Sequence, residues 1–116
     1  MITAGASGIG EIIAQSFVDA GARVHVCDIS AEAIDAFKRK RPEIGVTRAD
    51  VSIPAKVDRF FDEALNALGG LDILVNNAGI AGPTALIEDI APADWQQVMS
   101  VNINGQFYCV RRQCLR

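Results

Sequence analysis

The chain has 116 residues, of which 50% are hydrophobic and 22% are charged. This length and composition suit one globular domain with its own core, and the chain is too short for two domains of ordinary size. The net charge of -3 argues against a nucleic-acid partner, because phosphate binding favours a basic surface. No apolar run approaches the roughly 20 residues that span a membrane, and the first residues carry no basic charge, so we expect a soluble, cytoplasmic protein.

The cysteine and histidine content gives no sign of a disulfide framework or a metal site. The three cysteines form no CxxC pair and their odd number fits a reducing compartment, so we expect buried free thiols at Cys27, Cys109 and Cys114. The single histidine, His25, lies in a predicted strand and cannot anchor a multi-histidine site. The one dense basic run, 38–41, is expected to be a solvated helix end.

Short apolar runs alternate with helical patterns from the start of the chain. A strand is predicted at 1–3, and a glycine-rich turn at 4–10 leads into a helix over 10–20 that Gly21 ends. The expected buried face of this helix consists of Ile9, Ile13 and Phe17.

Two further strand and helix units follow. A strand over 23–29 precedes Ser30, a good N-cap for the second helix. A third strand over 45–51 precedes Ser52, the predicted N-cap of a strongly amphipathic helix that Gly69 ends. The apolar face of that helix consists of Val57, Phe60, Phe61, Ala64, Leu65 and Leu68.

The last part of the chain begins with residues 71–75, which are nearly all apolar and predict a parallel strand covered on both faces. An irregular stretch then leads to a helical pattern from Ala93 to the C-terminus. Four strands that alternate with helices predict an α/β fold, a doubly wound parallel sheet of Rossmann type with strand order 3-2-1-4.

The turn between the first strand and the first helix has the composition of a phosphate-binding loop. Glycines let the backbone approach a pyrophosphate, and the free N–H groups of a helix N-terminus favour its negative charge. The residues expected to contact the cofactor here are Gly5, Ser7, Gly8, Ile9 and Gly10. A tight turn without a ligand is the alternative.

Asp28 ends the second predicted strand, 18 positions after Gly10. A carboxylate there can accept both hydroxyls of an adenosine ribose and repel the 2'-phosphate of NADP. Ser7 offers no positive charge to neutralise such a phosphate. These residues indicate NAD as the cofactor, with a plain surface aspartate as the alternative for Asp28.

The turn resembles the TGxxxGxG motif of short-chain dehydrogenases/reductases of the classical type, with Gly8 and Gly10 in place and Ala4 where that family has its first glycine. Residues 76–79 match the family's NNAG motif in full. The resemblance extends over residues 2–112 in the family's order and spacing.

This resemblance implies an NAD-dependent enzyme that transfers a hydride between nicotinamide and a small alcohol or ketone. The residues that it assigns are Asp50 and Val51 for the adenine ring, Asn76 for bracing the sheet, Asn77, Ala78 and Gly79 for the nicotinamide ribose, and Asn102, whose backbone carbonyl holds a water of the proton relay, as the catalytic residue. For Asn102 an ordinary helix-face amide is the alternative.

The family's catalytic serine and YxxxK motif have no counterpart in these residues. The one tyrosine, Tyr108, has Arg112 four positions later and is expected to pack in the core. Residues 1–116 therefore resemble a partial NAD-binding Rossmann domain, cut at both ends and inactive alone, from a protein that we expect to form homo-oligomers. The alternatives are a non-catalytic nucleotide-binding or assembly module, and an S-adenosylmethionine methyltransferase, against which the NNAG motif argues.

Overall fold

The computed structural model describes residues 1–115 and shows a parallel β-sheet between layers of helices. Its three strands are β1, Ile2–Thr3; β2, His25–Asp28; and β3, Gly45–Arg48. The central strand is β2, and the register places Ile2 beside Val26 and His25 beside Gly45. The predicted parallel α/β arrangement is confirmed.

Helices fill the connections between the strands, as parallel neighbours require. They are α1, Gly8–Asp19; α2, Ala31–Lys40; α3, Pro54–Leu68; α4, Pro92–Met99; and α5, Gly105–Cys114. A π-helical turn, Ser100–Asn104, joins α4 to α5, so the predicted C-terminal helix is continuous but widened at its middle. Over residues 1–115, no helix combines the length and the apolar character that crossing a bilayer requires.

The predicted fourth strand over 71–75 is wrong in extent. Within the described residues, only Val75 pairs with β1, in a parallel bridge to Ile2 on the side away from β2. Thr3 donates its N–H to the Val75 carbonyl at 3.1 Å, and Val75 donates to the Met1 carbonyl at 2.9 Å. The N-terminal ammonium of Met1 also donates to the Ile73 carbonyl at 2.8 Å, so one hydrogen bond extends past the isolated bridge between Ile2 and Val75. The order 3-2-1-4 is not confirmed.

The two faces of the sheet bury separate apolar clusters, because successive strand side chains point to opposite faces. Val26 is buried on the face that α1 and α2 cover, and Cys27 on the face that α3 covers. The largest fully buried side chains are Phe37 on the first face and Phe60 and Phe61 on the second. Helices α2 and α3 thus place fully buried aromatic rings against the sheet.

The helix ends follow the sequence signals in part. Ser30 caps α2, because its hydroxyl oxygen accepts the Ala33 N–H at 3.1 Å. Ser52 is not the cap of α3, since Ile53 holds that position and the Ser52 hydroxyl turns back to donate to Asp50. Gly69 ends α3 in the left-handed region with φ of 77°.

The buried face of α1 differs from the predicted one. Ile9 is 71% exposed, and Ile13 and Phe17 are only half-buried against the core. Gly10 and Ala14 form the buried line instead, because the helix packs so close to the sheet that only small residues fit beneath it.

Two other predictions need correction. Cys27 and Cys109 are buried free thiols as expected, but Cys114 is exposed. The basic run is solvated except at Arg41, which is half-buried and lies 3.5 Å from the Glu11 carboxylate. Arg41 also donates to the Gln15 side chain, so it ties α2 to α1.

Candidate functional site

An open groove lies at the carboxyl ends of the strands, the edge where ligands bind in open parallel sheets. It brings together five of the residues that the sequence singled out, namely Asp28, Asp50, Val51, Ala78 and Gly79. Ala4 after β1, Ile29 after β2, and Ile80 complete its floor and sides, while Gln97 and Val101 form a wall from the helical run.

The glycines of the turn after β1 are required by close contacts. A Cβ at Gly5 would lie 2.5 Å from the Cβ of Val26, and one at Gly10 would lie 2.8 Å from the carboxamide nitrogen of Asn77. Gly8 has φ of +55°, a conformation that favours glycine, and open space surrounds it. The turn is therefore pressed against the sheet on one side and open on the other.

Ala4 stands where the resemblance places a glycine, and it takes a left-handed φ of 51°, the one such non-glycine residue among residues 1–115. This conformation costs an alanine roughly 1–2 kcal/mol. The Asn77 side chain donates to the Ala4 carbonyl at 3.2 Å and offsets part of that strain. The turn thus keeps the glycine geometry despite the methyl group.

The N-terminus of α1 presents its first backbone donors to solvent. Ser7 is the exposed N-cap, and the first intrahelical bond runs from the Glu11 N–H to the Ser7 carbonyl at 3.2 Å. The N–H groups of Gly8, Ile9 and Gly10 have no acceptor within the helix, as in any first turn. These groups form a positive end suited to an anion.

Asp28 is buried at the carboxyl end of β2, with 8% of its surface exposed. One carboxylate oxygen accepts the Ala6 N–H at 3.2 Å, and the other accepts the Ser30 N–H at 3.1 Å. Asp28 therefore braces the glycine turn as well as lining the groove, a contact that the sequence spacing did not reveal. Each oxygen keeps a further lone pair for a ligand hydroxyl.

Thr3 and Asn77 lock the segment after Val75 onto β1. The Thr3 hydroxyl accepts the N–H groups of Asn77 and Ala78, both at 2.9 Å, and the Asn77 side chain donates to the Thr3 carbonyl at 3.2 Å. The bracing role expected of Asn76 therefore belongs to Asn77. Sequence analysis missed Thr3, whose signal is a polar residue inside an otherwise apolar strand.

Asp50 follows β3, and one of its carboxylate oxygens already accepts hydrogen bonds within the chain. Its Oδ1 accepts the backbone N–H of Ser52 at 2.9 Å and the hydroxyl of Ser52 at 2.6 Å. This turn leads into α3 and directs the carboxylate at the groove, beside Val51, whose own side chain is buried in the core.

Asn102 lies in the π-helical turn and clamps the backbone of Ile80. Its side-chain oxygen accepts the Ile80 N–H at 2.8 Å, and its nitrogen donates to the Ile80 carbonyl at 2.9 Å. Gly79 passes directly beside it, because a Cβ there would lie 3.4 Å from the same oxygen. Single π turns within α-helices are frequent at functional sites. The side chain is thus structural, and the backbone of the widened turn borders the groove.

Other reactive groups do not join this site. Tyr108 packs against the core as predicted. Burial raises the pKa of the Cys27 thiol to about 12 and that of Cys109 to about 11, so neither is a thiolate nucleophile. Among residues 1–115, no three acidic, histidine or cysteine side chains gather as metal ligands.

Known proteins with the same sequence pattern and fold are dehydrogenases and reductases. The chain is 39% identical to 3beta-hydroxysteroid dehydrogenase 2 of Eggerthella lenta, over 97% of this chain and 45% of that protein. It is 34% identical to 2-dehydro-3-deoxy-L-rhamnonate dehydrogenase (NAD(+)) of a Sphingomonas species, over 96% of this chain and 45% of that protein.

A solved structure of 3-ketoacyl-(acyl-carrier-protein) reductase from Brucella melitensis complexed with NADH superposes with a TM-score of 0.90 and 32% identity, over 96% of this chain and 46% of that one. The chain thus spans less than half the length of these relatives. The neighbours confirm the Rossmann-like fold. A sequence model described as short chain dehydrogenase matches residues 1–115, and the chain belongs to that family.

Proposed function

We propose that residues 1–116 are the NAD-binding part of an oxidoreductase that transfers a hydride between nicotinamide and a small alcohol or ketone. The contact between Asp28 and the glycine turn carries this proposal. Asp28 accepts the Ala6 N–H while it lines the groove, so an acceptor for ribose hydroxyls and a turn for pyrophosphate form one rigid unit.

The residues present fit a dinucleotide. Gly5 and Gly10 leave no room for a Cβ, so the turn lies close to the sheet, and Gly8 leaves open space where a pyrophosphate would approach the free N–H groups of α1. The exposed Ser7 and Ile9 border that space. Val51 would support the adenine ring, and Asp50 would accept from it.

The proposal assigns the nicotinamide side to the NNAG segment and Asn102. The backbone of Asn77, Ala78 and Gly79 is braced by Thr3 on one side and lies beside Asn102 on the other. When bound, NAD supplies the carbon that accepts or gives the hydride. In this chain the side chain of Asn102 holds the Ile80 backbone in place, and the backbone carbonyl of Asn102 would hold a water of the proton relay.

Asp28 favours NAD over NADP for an electrostatic reason. A buried carboxylate repels a 2'-phosphate, and the groove lining contains no lysine or arginine to neutralise that phosphate. The NAD(+) in the name of the Sphingomonas relative and the NADH in the Brucella structure support this choice.

We further propose that these residues alone bind NAD weakly and catalyse nothing. No serine, tyrosine and lysine in the family's arrangement lie near the groove, and loss of a proton donor alone typically lowers a rate by about 100-fold to 10,000-fold. We also propose a cytoplasmic homo-oligomer. The three free cysteines are consistent with a reducing compartment. Exposed apolar side chains such as Phe107 are consistent with an interface that a second copy of the chain covers.

The test is titration of the chain with NADH and NADPH, with Asp28→Asn and Asp28→Ala as variants. We expect preference for NADH in the native chain. Asp28→Asn removes the charge but keeps an acceptor, so it should narrow the preference mainly by improving NADPH binding. Asp28→Ala should also lower the affinity for NADH about tenfold or more, since charge-assisted hydrogen bonds to the ribose are lost.

Asp72→Ala is the matched control, because Asp72 is exposed at the opposite, amino-terminal edge of the sheet. It should change neither affinity. Equal NADH and NADPH affinities in the native chain and in both Asp28 variants would remove Asp28 from the ribose site. The second candidate is a non-catalytic nucleotide-binding or assembly module, which the names of the relatives do not support. Absence of all dinucleotide binding would favour its assembly form.

A further inference from the structure

The groove contains one polar side chain without an assigned role. Among its lining residues, a carboxylate or carboxamide is found at Asp28, Asp50 and Gln97. Both oxygens of Asp28 accept backbone N–H groups, and Oδ1 of Asp50 accepts twice from Ser52. The Gln97 carboxamide is exposed, and within residues 1–115 it has no hydrogen-bond partner.

Gln97 occupies a defined position on the groove wall. It lies on α4 four residues before Val101, so both side chains project from the same face of the helical run. Val101 packs against the core and Gly105, four residues later, touches Val51 at the sheet. Gln97 is therefore two turns further out than Gly105, at the rim of the groove.

We propose that Gln97 recognises the base of the bound dinucleotide. This inference rests on the proposed function, since it needs a nucleotide in the groove. With the ribose at Asp28, the base extends towards Asp50 and the wall at Val101, and its edge meets the rim. A carboxamide donates and accepts at once, so it matches the adjacent acceptor N1 and donor N6 of adenine. Asp50 can only accept.

A solvated glutamine is the simpler interpretation, and the neighbouring residue provides the control for it. Gln96 is exposed on the same helix but does not line the groove. A general effect of removing a surface carboxamide from α4 would appear equally in both variants, whereas base recognition would appear only at position 97.

The experiment measures the affinity of the 116-residue chain for NAD and for 1,N6-etheno-NAD by calorimetry. The etheno bridge removes the N6 donor and the N1 acceptor while it leaves ribose and pyrophosphate unchanged. The native chain should bind NAD at least about tenfold more tightly than the etheno analogue, because the analogue loses the hydrogen bonds to Gln97 and also the one that Asp50 would accept.

Gln97→Leu should lower the affinity for NAD by about tenfold and that for the etheno analogue by less than twofold, because the second ligand has no bonds to lose. Gln97→Asn, which keeps the amide but shortens its reach, should behave similarly. Gln96→Leu should change neither affinity. Circular dichroism melts should show all variants folded, since both residues are exposed.

Two other outcomes are distinguishable. If Gln97→Leu changes the affinities for NAD and for the etheno analogue equally, or changes neither, Gln97 does not recognise the base. The NAD affinity of the native chain would still support the proposed function. If the native chain binds neither ligand, the proposed function fails and this inference fails with it.

Discussion

Residues 1–68 and residues 71–115 are held in place by different means. The first region has a core on each face of the sheet, with Phe37, Phe60 and Phe61 fully buried. In the second region, the described residues include only three buried ones, Leu71, Gly105 and Cys109. Many of its large apolar side chains are instead exposed, at Ile73, Ile80, Leu86, Ile87, Trp95, Ile103, Phe107, Val110 and Leu115.

Polar clamps supplement the few buried residues of the second region. Asn77 holds it to β1, Asn102 holds its loop to its helix, and Arg112 pairs with Asp62 of α3 at 2.6 Å. The groove lies between the two regions. We therefore expect the first side of the candidate site to be the more stable one, since the second side has few buried residues and relies in part on hydrogen bonds.

The largest expected effect is the difference in stability between an aromatic substitution in the first region and one in the second. Phe60→Ala should lower the free energy of unfolding by about 3–5 kcal/mol, because it opens a cavity between α3 and the sheet. Phe107→Ala should change it by less than about 0.5 kcal/mol, since that ring is 60% exposed. Urea unfolding followed by circular dichroism measures both. Similar losses would mean that the second region has a core that we have not recognised.

The next effect tests the close contact within the glycine turn. Gly10→Ala should destabilise the chain by about 1–3 kcal/mol, because its Cβ would overlap the Ala4 carbonyl and the Asn77 side chain at once. Gly10→Ala should also lower the affinity for NADH, since the turn must shift to make room for the added methyl group. Gly70→Ala is the control, because nothing lies within 4 Å of its added Cβ. Unfolding curves and NADH titrations should both separate these variants; unchanged NADH affinity in Gly10→Ala would contradict a pyrophosphate role for the turn.

A smaller effect concerns the clamp in the second region. Asn102→Ala removes both bonds to Ile80 and should cost about 1 kcal/mol, since the freed groups are partly solvated. Amide hydrogen exchange at Ile80 should accelerate, with little change in the protection of β2. Asn104→Ala, in the same π turn but exposed, should leave that exchange rate unchanged. Equal acceleration by both variants would indicate a general loosening of the helix.

The sequence predicted the first region well, because its signals are local. Alternating strands and helices, the Ser30 cap and the Gly69 stop all depend on neighbouring residues. The extent of the fourth strand could not be predicted from its apolar composition, since strand pairing depends on backbone hydrogen bonds between residues distant in sequence, such as the bond from Met1 to Ile73. Ile9 was misplaced for a similar reason, because helical spacing does not reveal that α1 packs on Gly10 and Ala14.

Sequence spacing predicted part of the groove lining but not the contacts that position it. Motif spacing brought Asp28, Asp50 and Gly79 to one groove correctly. It could not show that Asp28 also accepts from the turn, that Asn77 rather than Asn76 braces β1, or that Gln97 reaches the rim. Those contacts join residues distant in sequence, and their geometry depends on the packed fold.

The smallest effect is a pH dependence that belongs to the first region. Thr47 donates its hydroxyl hydrogen to Glu63, so its oxygen can only accept from Nε2 of His25, at 2.8 Å. The other ring nitrogen, Nδ1, is buried without a partner against Gly45. Protonation there would create a buried N–H with no acceptor.

Burial therefore lowers the pKa of His25 below its ordinary value of 6.5, and the N-terminal ammonium lowers it further, while the Glu63 carboxylate opposes both. The unfolded chain then binds the proton more readily than the folded one, so the stability that neutral His25 contributes is present above about pH 6.5 and is lost as the pH falls towards the folded value. Burial also lowers the pKa of the N-terminal amine from its ordinary value of 8.0. Its protonation therefore also lowers the stability of the folded chain as the pH falls, beginning near pH 8.0.

Chemical unfolding at a series of pH values should show the free energy of unfolding decreasing between about pH 7 and pH 5. His25→Gln keeps a donor for Thr47 and has no group that titrates in this range, so its curve should be flatter below pH 6.5, the ordinary pKa of histidine. Because the chain has 1 histidine, the difference between the two curves below pH 6.5 reports His25, whereas a slope that both curves share comes from other groups such as the N-terminal amine. The same slope in His25→Gln would contradict the assignment to His25 and would leave the N-terminal amine as a source of the effect.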